Sequence, residues 1–260
     1  MRPNFDLKEE VRAFWSARSA GFDDDPAHRI EARYGLPVWQ AFLRKAMGLA
    51  QEEDALGCQV LDLACGTGEI SRVLCSLGAA VTGVDFSEEM LARAQAKLAR
   101  TSWTPHLGDA ERLVALPDVH FDFVVTRHLA WTLTDPDAAY REWLRVLRPG
   151  GRLLINDGNW AQRASLRDRL RRAIAQWIDP VPVTSHAVTS AHAAIFARLP
   201  YRDGLTASRL AQALRNAGFE RITALNPGPL YAEGMRGHSL ATRLRQTSEN
   251  RFALLARRPG

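Results

Sequence analysis

Val60-Leu61-Asp62-Leu63-Ala64-Cys65-Gly66-Thr67-Gly68-Glu69-Ile70 is the stretch that decides the fold. An apolar run passes into a glycine-bearing turn and then into a helical pattern. Consecutive apolar residues suit a strand covered on both faces. Gly66 and Gly68 allow a tight turn and a close backbone approach to a ligand. The helix that follows aims its free N–H groups into the same crevice. Asp62, at the strand's carboxyl end, is placed to accept hydrogen bonds from a ligand ammonium. A strand–helix turn with no ligand would use the same glycines, so a second signal is needed.

That signal lies downstream. Gly83-Val84-Asp85-Phe86-Ser87 ends the next strand on an acid, 17 residues after Gly68. The spacing puts Asp85 beside the glycine turn, where a ribose diol can lie across it. Ser87 caps the following helix, with Met90 one turn in. Gly108-Asp109-Ala110 follows a third strand and offers a carboxylate where an adenine amino group could be read. Leu147-Arg148-Pro149-Gly150-Gly151-Arg152 is a turn that ends a helix and starts an inner strand.

Working outward, strands are expected at 59–63, 80–84, 103–107, 121–126 and 152–156, with helices near 69–77, 87–99 and 136–147. Such alternation implies βαβ units and a parallel sheet. A helix at 206–217 ends on Gly218, placed as its cap. Strands near 219–225 and 251–257 close the chain, the last expected as a hairpin-like antiparallel edge strand with no strong helix before it. Upstream, Leu7, Val11, Phe14 and Trp15 mark one amphipathic helix, broken at Asp23-Asp24-Asp25-Pro26. Trp39, Phe42, Leu43, Ala46 and Met47 mark a second over about 36–50. Within 158–204, the apolar face Leu166, Leu170, Ala173, Ile174 and Trp177 predicts a helix packed on the core. Arg163, Arg167, Arg169, Arg171 and Arg172 would form its basic outer side, and Pro180-Val181-Pro182 would stop it.

The chain has 260 residues, is 46% apolar and 24% charged, and has a formal net charge of +5. This composition excludes disorder, collagen-like repeats and a coiled coil. No apolar run reaches the ~18 residues of a membrane span, and the N-terminus lacks a signal-peptide core. A cytoplasmic protein with no membrane partner is expected. Cys58, Cys65 and Cys75 form no C-x-x-C pair, so neither a disulfide framework nor a zinc site is indicated, and no metal is expected. Residues 1–150 hold 17 basic and 22 acidic side chains, whereas residues 151–260 hold 17 arginines and 7 acids. The split reads either as preparation for an anionic partner or as a compositional preference, since the chain has 31 arginines and three lysines.

The linked motifs resemble those of class I S-adenosylmethionine-dependent methyltransferases, in particular the small-molecule group that includes the ubiquinone/menaquinone-biosynthesis enzymes. The carrying segments are DLACGTG (62–68), GVDFSEEMLARAQAK (83–97), GDAERL (108–113), FDFVVTRHLAWTL (121–133) and RVLRPGGRLLI (145–155). The resemblance covers residues 58–157. It implies a Rossmann-like, doubly wound, mostly parallel seven-stranded sheet with an antiparallel last strand and a helical cap. It divides the chain into an N-terminal lid (1–50), a cofactor-binding core (51–157), a cap for substrate recognition (158–204) and a C-terminal part of the sheet (205–260).

The implied cofactor is S-adenosyl-L-methionine. Asp62, Gly66 and Gly68 would flank its methionine part, Asp85 would hold the ribose hydroxyls and Phe86 would pack on adenine. Asp109 would contact the adenine amino group with Ala110 alongside, and Arg127 would lie under the sulfonium region, mainly through backbone. Ala64, Thr67 and Met90 complete the set. Ala64 departs from a family pattern that often has glycine there. Ser71 stands where a dinucleotide fingerprint wants a third glycine, which weighs against NAD.

Phe22 and Trp131 are the candidate substrate-contacting residues. Trp15 is either part of a lid or only the apolar face of a packed helix. The cap's His186, His192, Phe196 and Tyr201 are polar and aromatic enough to line a pocket. Methyl transfer is an in-line displacement, and a base is needed only when the acceptor must lose a proton. His128, just past the fourth strand, is the candidate base or orienting group; alternatively it holds its loop through a backbone hydrogen bond. His186, His192, Tyr231 and Glu233 are secondary candidates. The expected partner is a small-molecule methyl acceptor, polar or anionic. An RNA- or protein-directed methyltransferase is a second reading, but no RNA-binding module, stacking-type basic–aromatic pattern or N-P-P-Y motif supports nucleic acid. A non-catalytic cofactor-binding protein is a third.

Overall fold

The computed structural model describes residues 3–161, 165–180 and 190–260, and the side chains of 7–161, 165–180 and 193–260. Arg163, Val181, Pro182 and His186 lie outside the described residues, as does the side chain of His192. Two helices, α1 (Pro3–Arg18) and α2 (Gly35–Met47), precede the sheet. Then β1 (Gln59–Leu63), α3 (Glu69–Ser76), β2 (Ala80–Asp85), α4 (Glu88–Leu98), β3 (Trp103–Leu107), β4 (Phe121–Arg127), α5 (Pro136–Val146) and β5 (Leu147–Gly158) alternate. The chain continues through α6 (Leu166–Ile178), α7 (Ser190–Phe196), α8 (Ala207–Asn216), β6 (Glu220–Leu225), α9 (Gly228–Ala232), α10 (Leu240–Gln246) and β7 (Arg251–Arg257).

The seven strands form one sheet in the order β3-β2-β1-β4-β5-β7-β6. Neighbours from β3 to β5 pair in parallel, and β7 runs antiparallel to both β5 and β6. The order reverses between β1 and β4, so a crevice opens at the carboxyl ends of these strands, the usual ligand position in an open α/β sheet.

The strand sides alternate between two cores, as the pleat requires. Phe121, Val124, Leu153 and Ile155 face one cluster, shared with Tyr140 and Trp143 of α5 and Leu210 and Leu214 of α8. Phe123, Val125 and Leu154 face the other, shared with α2 and α3. Within residues 1–50, α2 therefore lies in the helical layer of the sheet through Trp39, Phe42, Leu43 and Ala46, while α1 crosses toward α7. Gly218 has a φ of 102° and closes α8 by donating to Arg215 O.

Three expectations are corrected. The last strand is not at an edge: β7 sits between β5 and β6, and β6 is the edge. The connection before it holds α9 and α10. That insertion works because β7, Arg251-Phe252-Ala253-Leu254-Leu255-Ala256-Arg257, buries Ala253, Leu254 and Ala256, whereas most of β6 stays exposed. The Arg148-Pro149-Gly150-Gly151 turn belongs to the start of β5, where the pairing register to β4 shifts between Phe121 and Phe123.

The third correction concerns α6. Its apolar face does not pack on the core: Leu166, Leu170, Ile174 and Trp177 are exposed, and the arginine side docks instead. Arg171 donates to Thr247 O at 3.1 Å, and Arg172 donates to Ser248 Oγ and O, each at 3.0 Å. Arg245 of α10 returns hydrogen bonds to Asp179 Oδ2 at 3.1 Å and Ala175 O at 3.3 Å. The end of a helix presents carbonyls without intrahelical donors, and guanidinium groups satisfy them. Hydrogen bonding therefore sets how α6 is rotated.

Trp143 anchors the first core. It is fully buried and donates its indole N–H to Ala110 O at 2.8 Å, tying α5 to the loop after β3. Trp143→Ala should cost about 3–5 kcal/mol of unfolding free energy, as expected for a large cavity in a packed core. Urea unfolding followed by circular dichroism measures it.

Candidate active site

The glycine turn is held by an acid from the neighbouring strand. Asp85 Oδ2 accepts the Gly66 N–H at 2.8 Å, and Oδ1 accepts the Ser87 N–H at 2.9 Å. Gly68 has a φ of 83°, and a Cβ there would meet Leu98 Cδ1 at 2.9 Å and Ala94 Cβ at 3.1 Å. Both conformation and space demand glycine at that position. Gly66 has a φ of 54° but open space above it, bounded by the Phe22 ring at 3.7 Å. Ala64 also lies in the left-handed region, at φ 51°. This is the physical sense of the glycine expected there: alanine reaches the same conformation at a cost of about 1–2 kcal/mol.

A pocket opens beside Asp85. Ala64, Asp85, Phe86, Gly108, Asp109 and Ala110 line it from the strand ends, Leu129 and Leu133 from the loop after β4, and Lys8 and Val11 from α1. An acid at one end, a second acid at the other and apolar walls between them fit a purine nucleoside. Met90, expected among the cofactor residues, is buried within the inner face of α4 and does not line this pocket. Asp62 also turns inward. Its Oδ2 accepts the Ser71 Oγ–H at 2.7 Å, and Ser71 Oγ accepts the Trp103 Nε1–H at 3.1 Å. Burial pushes the Asp62 carboxyl up to about 7 and that of Asp85 up to about 6.

The N-terminal segment closes the crevice at both ends with ion pairs. Lys8 Nζ donates to Asp109 Oδ2 at 2.5 Å and to Glu111 Oε2 at 2.8 Å. Glu111 is buried, and its carboxylate accepts the Thr134 N–H at 2.6 Å and the Asp135 N–H at 3.1 Å. At the other end, Lys97 Nζ meets Asp23 Oδ2 at 2.9 Å and Glu69 Oε1 at 2.6 Å. Asp23 Oδ1 accepts the Thr67 Oγ–H at 2.5 Å. Lys8, Glu111 and Lys97 were not singled out in the sequence. Composition held a signal: of only three lysines among 34 basic residues, two sit at this rim.

Phe22 stacks on His28 with ring centroids 3.9 Å apart and meets Trp15 edge-on at 6.2 Å. His28 in turn lies 6.4 Å from His128. An aromatic row thus leads from the glycine turn to the end of β4. Trp131 meets the end of this row, its indole N–H donating to His128 O at 3.0 Å. It lines a second, apolar pocket with Phe14, Trp15, Ile195 and Phe196, where α1 meets α7. Tyr201 is buried against Tyr140, its hydroxyl 3.1 Å from that of Tyr140.

His128 has a φ of 62°, which places a non-glycine residue in the left-handed region at a strand end. Its N–H donates to Asn156 O at 2.9 Å, and its Nε2 is buried without a hydrogen-bond partner among the described residues. Burial drives its pKa well below the ordinary imidazole value, assisted by the charges of Arg127 and Arg251. The ring is therefore neutral near pH 7, with a free nitrogen. The Arg127 guanidinium donates to the Ala27 and His28 carbonyls, at 2.9 Å to the latter, and lies 5.0 Å from the Trp39 ring. Its side chain thus pins the N-terminal segment.

Of the secondary candidates, Tyr231 is buried and accepts a hydrogen bond from Asn156 Nδ2 at 3.3 Å, while Glu233 is exposed. Asp157, at the end of β5, was not anticipated. It is buried, its Oδ2 has no partner, and burial pushes its carboxyl up to about 7. Among the described residues no group of His, Cys, Asp and Glu is arranged to hold a metal ion. No helix among them is long and apolar enough to cross a membrane.

Residues 61–155 match the family model described as a methyltransferase domain. The chain is similar to phosphatidylethanolamine N-methyltransferase of Cereibacter sphaeroides, at 40% identity over 41% of this chain and 53% of that protein. It is similar to a ubiquinone/menaquinone biosynthesis C-methyltransferase of Shewanella halifaxensis, at 31% identity over 54% of this chain and 60% of that one. The chain thus spans between half and two thirds of the length of these two curated relatives. Its fold resembles Haemonchus contortus phosphoethanolamine N-methyltransferase 2 in complex with S-adenosyl-L-methionine, with a TM-score of 0.65 and 18% identity over 96% of this chain and 60% of that one. It also resembles the [4+2]-cyclase SpnF, with a TM-score of 0.61 and 19% identity over 96% of both chains.

The buried carboxyls predict a pH signature. A carboxylate whose pKa rises on folding stabilises the protein below its unfolded value, near 4, and loses that contribution as pH rises through its folded value. For Asp62 the loss runs from near 4 up to about 7 and is complete above that. Asp62→Asn removes the ionisation but keeps an acceptor for Ser71. The melting temperature of the variant relative to wild type should therefore rise between pH 5 and pH 8, measured by calorimetry on ligand-free protein. A constant difference would show that Asp62 does not titrate in this range.

Proposed function

We propose that this chain, whose residues 61–155 match a methyltransferase-domain family model, is a class I S-adenosylmethionine-dependent methyltransferase acting on a small-molecule acceptor. The observation that carries this reading is the pocket between Asp85 and Asp109, which Ala64 borders where β1 passes into the glycine turn that Asp85 itself holds. Asp85 receives the ribose hydroxyls, Phe86 and Ala110 flank adenine, and Asp109 reads its amino group. Gly66, Thr67 and Gly68 let the backbone meet the amino-acid end, with Ala64 beside them. Asp62 acts from beneath the turn through Ser71, and Arg127 contributes its backbone. In this reading Met90 supports α4 without touching the cofactor.

S-adenosylmethionine supplies an activated sulfonium methyl for in-line displacement. The chain aligns the acceptor and keeps water out. The aromatic row Trp15, Phe22 and His28 covers the glycine turn. His128 takes a proton from the acceptor at Nε2, or orients its lone pair, and burial keeps that nitrogen neutral for the task. Phe22 and Trp131 bound the acceptor's space. The anionic character of the acceptor rests on the 17 arginines that residues 151–260 carry against 7 acids. Residues 1–50, 51–157, 158–204 and 205–260 are proposed as lid, core, cap and sheet completion, with α2 serving the core. The reading includes a cytoplasmic site of action, in keeping with three free cysteines.

Titration calorimetry should show S-adenosylhomocysteine binding, weakened by about 1–3 kcal/mol in Asp85→Ala, the cost of unpaired ribose donors. Binding of NADH in its place would overturn the reading. A screen of small-molecule acceptors for S-adenosylhomocysteine release would identify the substrate. On that substrate His128→Ala should lower kcat by about 10²-fold, with S-adenosylhomocysteine affinity unchanged. A variant with full turnover would leave His128 only its backbone role.

A further inference from the structure

Ten large apolar side chains are exposed among the described residues, and five of them lie on α6: Leu166, Leu170, Ile174, Trp177 and Ile178. Leu166 is 81% and Trp177 85% exposed. Helical spacing sets Leu166, Leu170, Ile174 and Trp177 along one stripe. The opposite side carries buried Ala175 together with Arg171 and Arg172, which are engaged with the end of α10. Surface helices of globular proteins turn their apolar stripe inward; here the hydrogen bonds to α10 turn it outward. At about 100° per residue, Arg167 falls on one flank of the stripe and Arg169 on the other, and both are exposed. Leu240, at the start of the neighbouring α10, adds a further exposed apolar group.

We propose that α6 is an interfacial helix that seats the protein on an anionic lipid bilayer. Its 13 residues span roughly 20 Å, too short to cross a hydrocarbon core of about 30 Å but long enough to lie along it. Leucine and isoleucine enter the boundary between headgroups and acyl chains, and Trp177 occupies the headgroup level. Arginine stems lie along apolar surface while their heads stay polar, so Arg167 and Arg169 reach lipid phosphates from both edges of the stripe. α6 holds four arginines and one acid, and residues 151–260 carry 17 arginines against 7 acids. A two-fold pairing of two copies through this stripe would bring these arginine edges together, and like charges oppose it. A bilayer rich in anionic headgroups offers the complementary charge. The proposal departs from the expectation of no membrane partner, because a surface helix answers to a different pattern from a spanning segment. The proposal is independent of the methyl-transfer reading.

Flotation of the full chain with two kinds of vesicle tests it: phosphatidylcholine alone, and phosphatidylcholine with about 30% phosphatidylglycerol. Wild type should float with the anionic vesicles and remain at the bottom with the neutral ones. Leu170→Glu/Trp177→Glu, altered only at exposed positions, should lower the partition coefficient at least about tenfold while keeping the wild-type melting temperature. Arg167→Glu/Arg169→Glu should abolish the preference for phosphatidylglycerol. Failure of wild type to float, or equal flotation of the apolar variant, overturns the proposal. So does a wild-type dimer in light scattering that Leu170→Glu/Trp177→Glu converts to a monomer without any vesicle binding.

Discussion

The Asp85 carboxylate is the point on which the site depends. One oxygen fixes the glycine turn through Gly66, the other fixes the turn into α4 through Ser87. Two strands and two helices therefore take their relative positions from one side chain, and the same group borders the pocket. Hydrogen bonds from backbone N–H groups favour its charged form, but burial outweighs them and raises its pKa. The site thus holds an acid whose ionisation is costly until a ligand brings further donors, a common arrangement at a binding position. Asp62, buried behind the turn, repeats it one strand away.

Much of this was legible in the sequence. From β1 through β5 the expected elements match, because the inner strands β1, β2, β4 and β5 are largely buried and each helix carries its own boundary signals: Ser87 and Asp135 as N-caps, Gly68 before α3. The acids at the ends of β2 and β3 do border one pocket. Legibility fell where long-range hydrogen bonds outweigh local pattern. The apolar stripe of α6 has the spacing of a core-packed helix, yet guanidinium-to-carbonyl bonds across to Thr247 and Ser248 decide its orientation. Arginine near a free helix end is thus a docking group, and amphipathic periodicity alone does not reveal which face it selects.

Strand order gave a second such case. Residues 251–257 have an ordinary strand pattern, and nothing local states whether a strand lies inside a sheet or at its edge. Its place next to β5 follows from the small side chains Ala253 and Ala256, which fit between the two helical layers. The rim of the pocket was the third. Lys8 lies about a hundred residues from Asp109, and Asp23 lies 74 from Lys97. Pairing at such separation has no signature in periodicity. The aromatic row from Phe22 through His28 to His128 is hidden for the same reason, although Phe22 itself could be recognised.

The N-terminal segment is held over the crevice by two unlike forces. Near the glycine turn and Asp109 the contacts are ion pairs of half-exposed lysines. Near α7 they are apolar, with Leu7 and Val11 against Ile195 and Leu199. Added electrolyte screens the first kind of contact, while strongly hydrated salts reinforce the second. Lys8 stands between Leu7 and Val11 on α1, so the two sides of one helix answer salt in opposite senses. Rising ionic strength loosens the segment's grip on the crevice rim while its seat on α7 holds, so ionic composition, rather than temperature alone, governs how readily the rim opens.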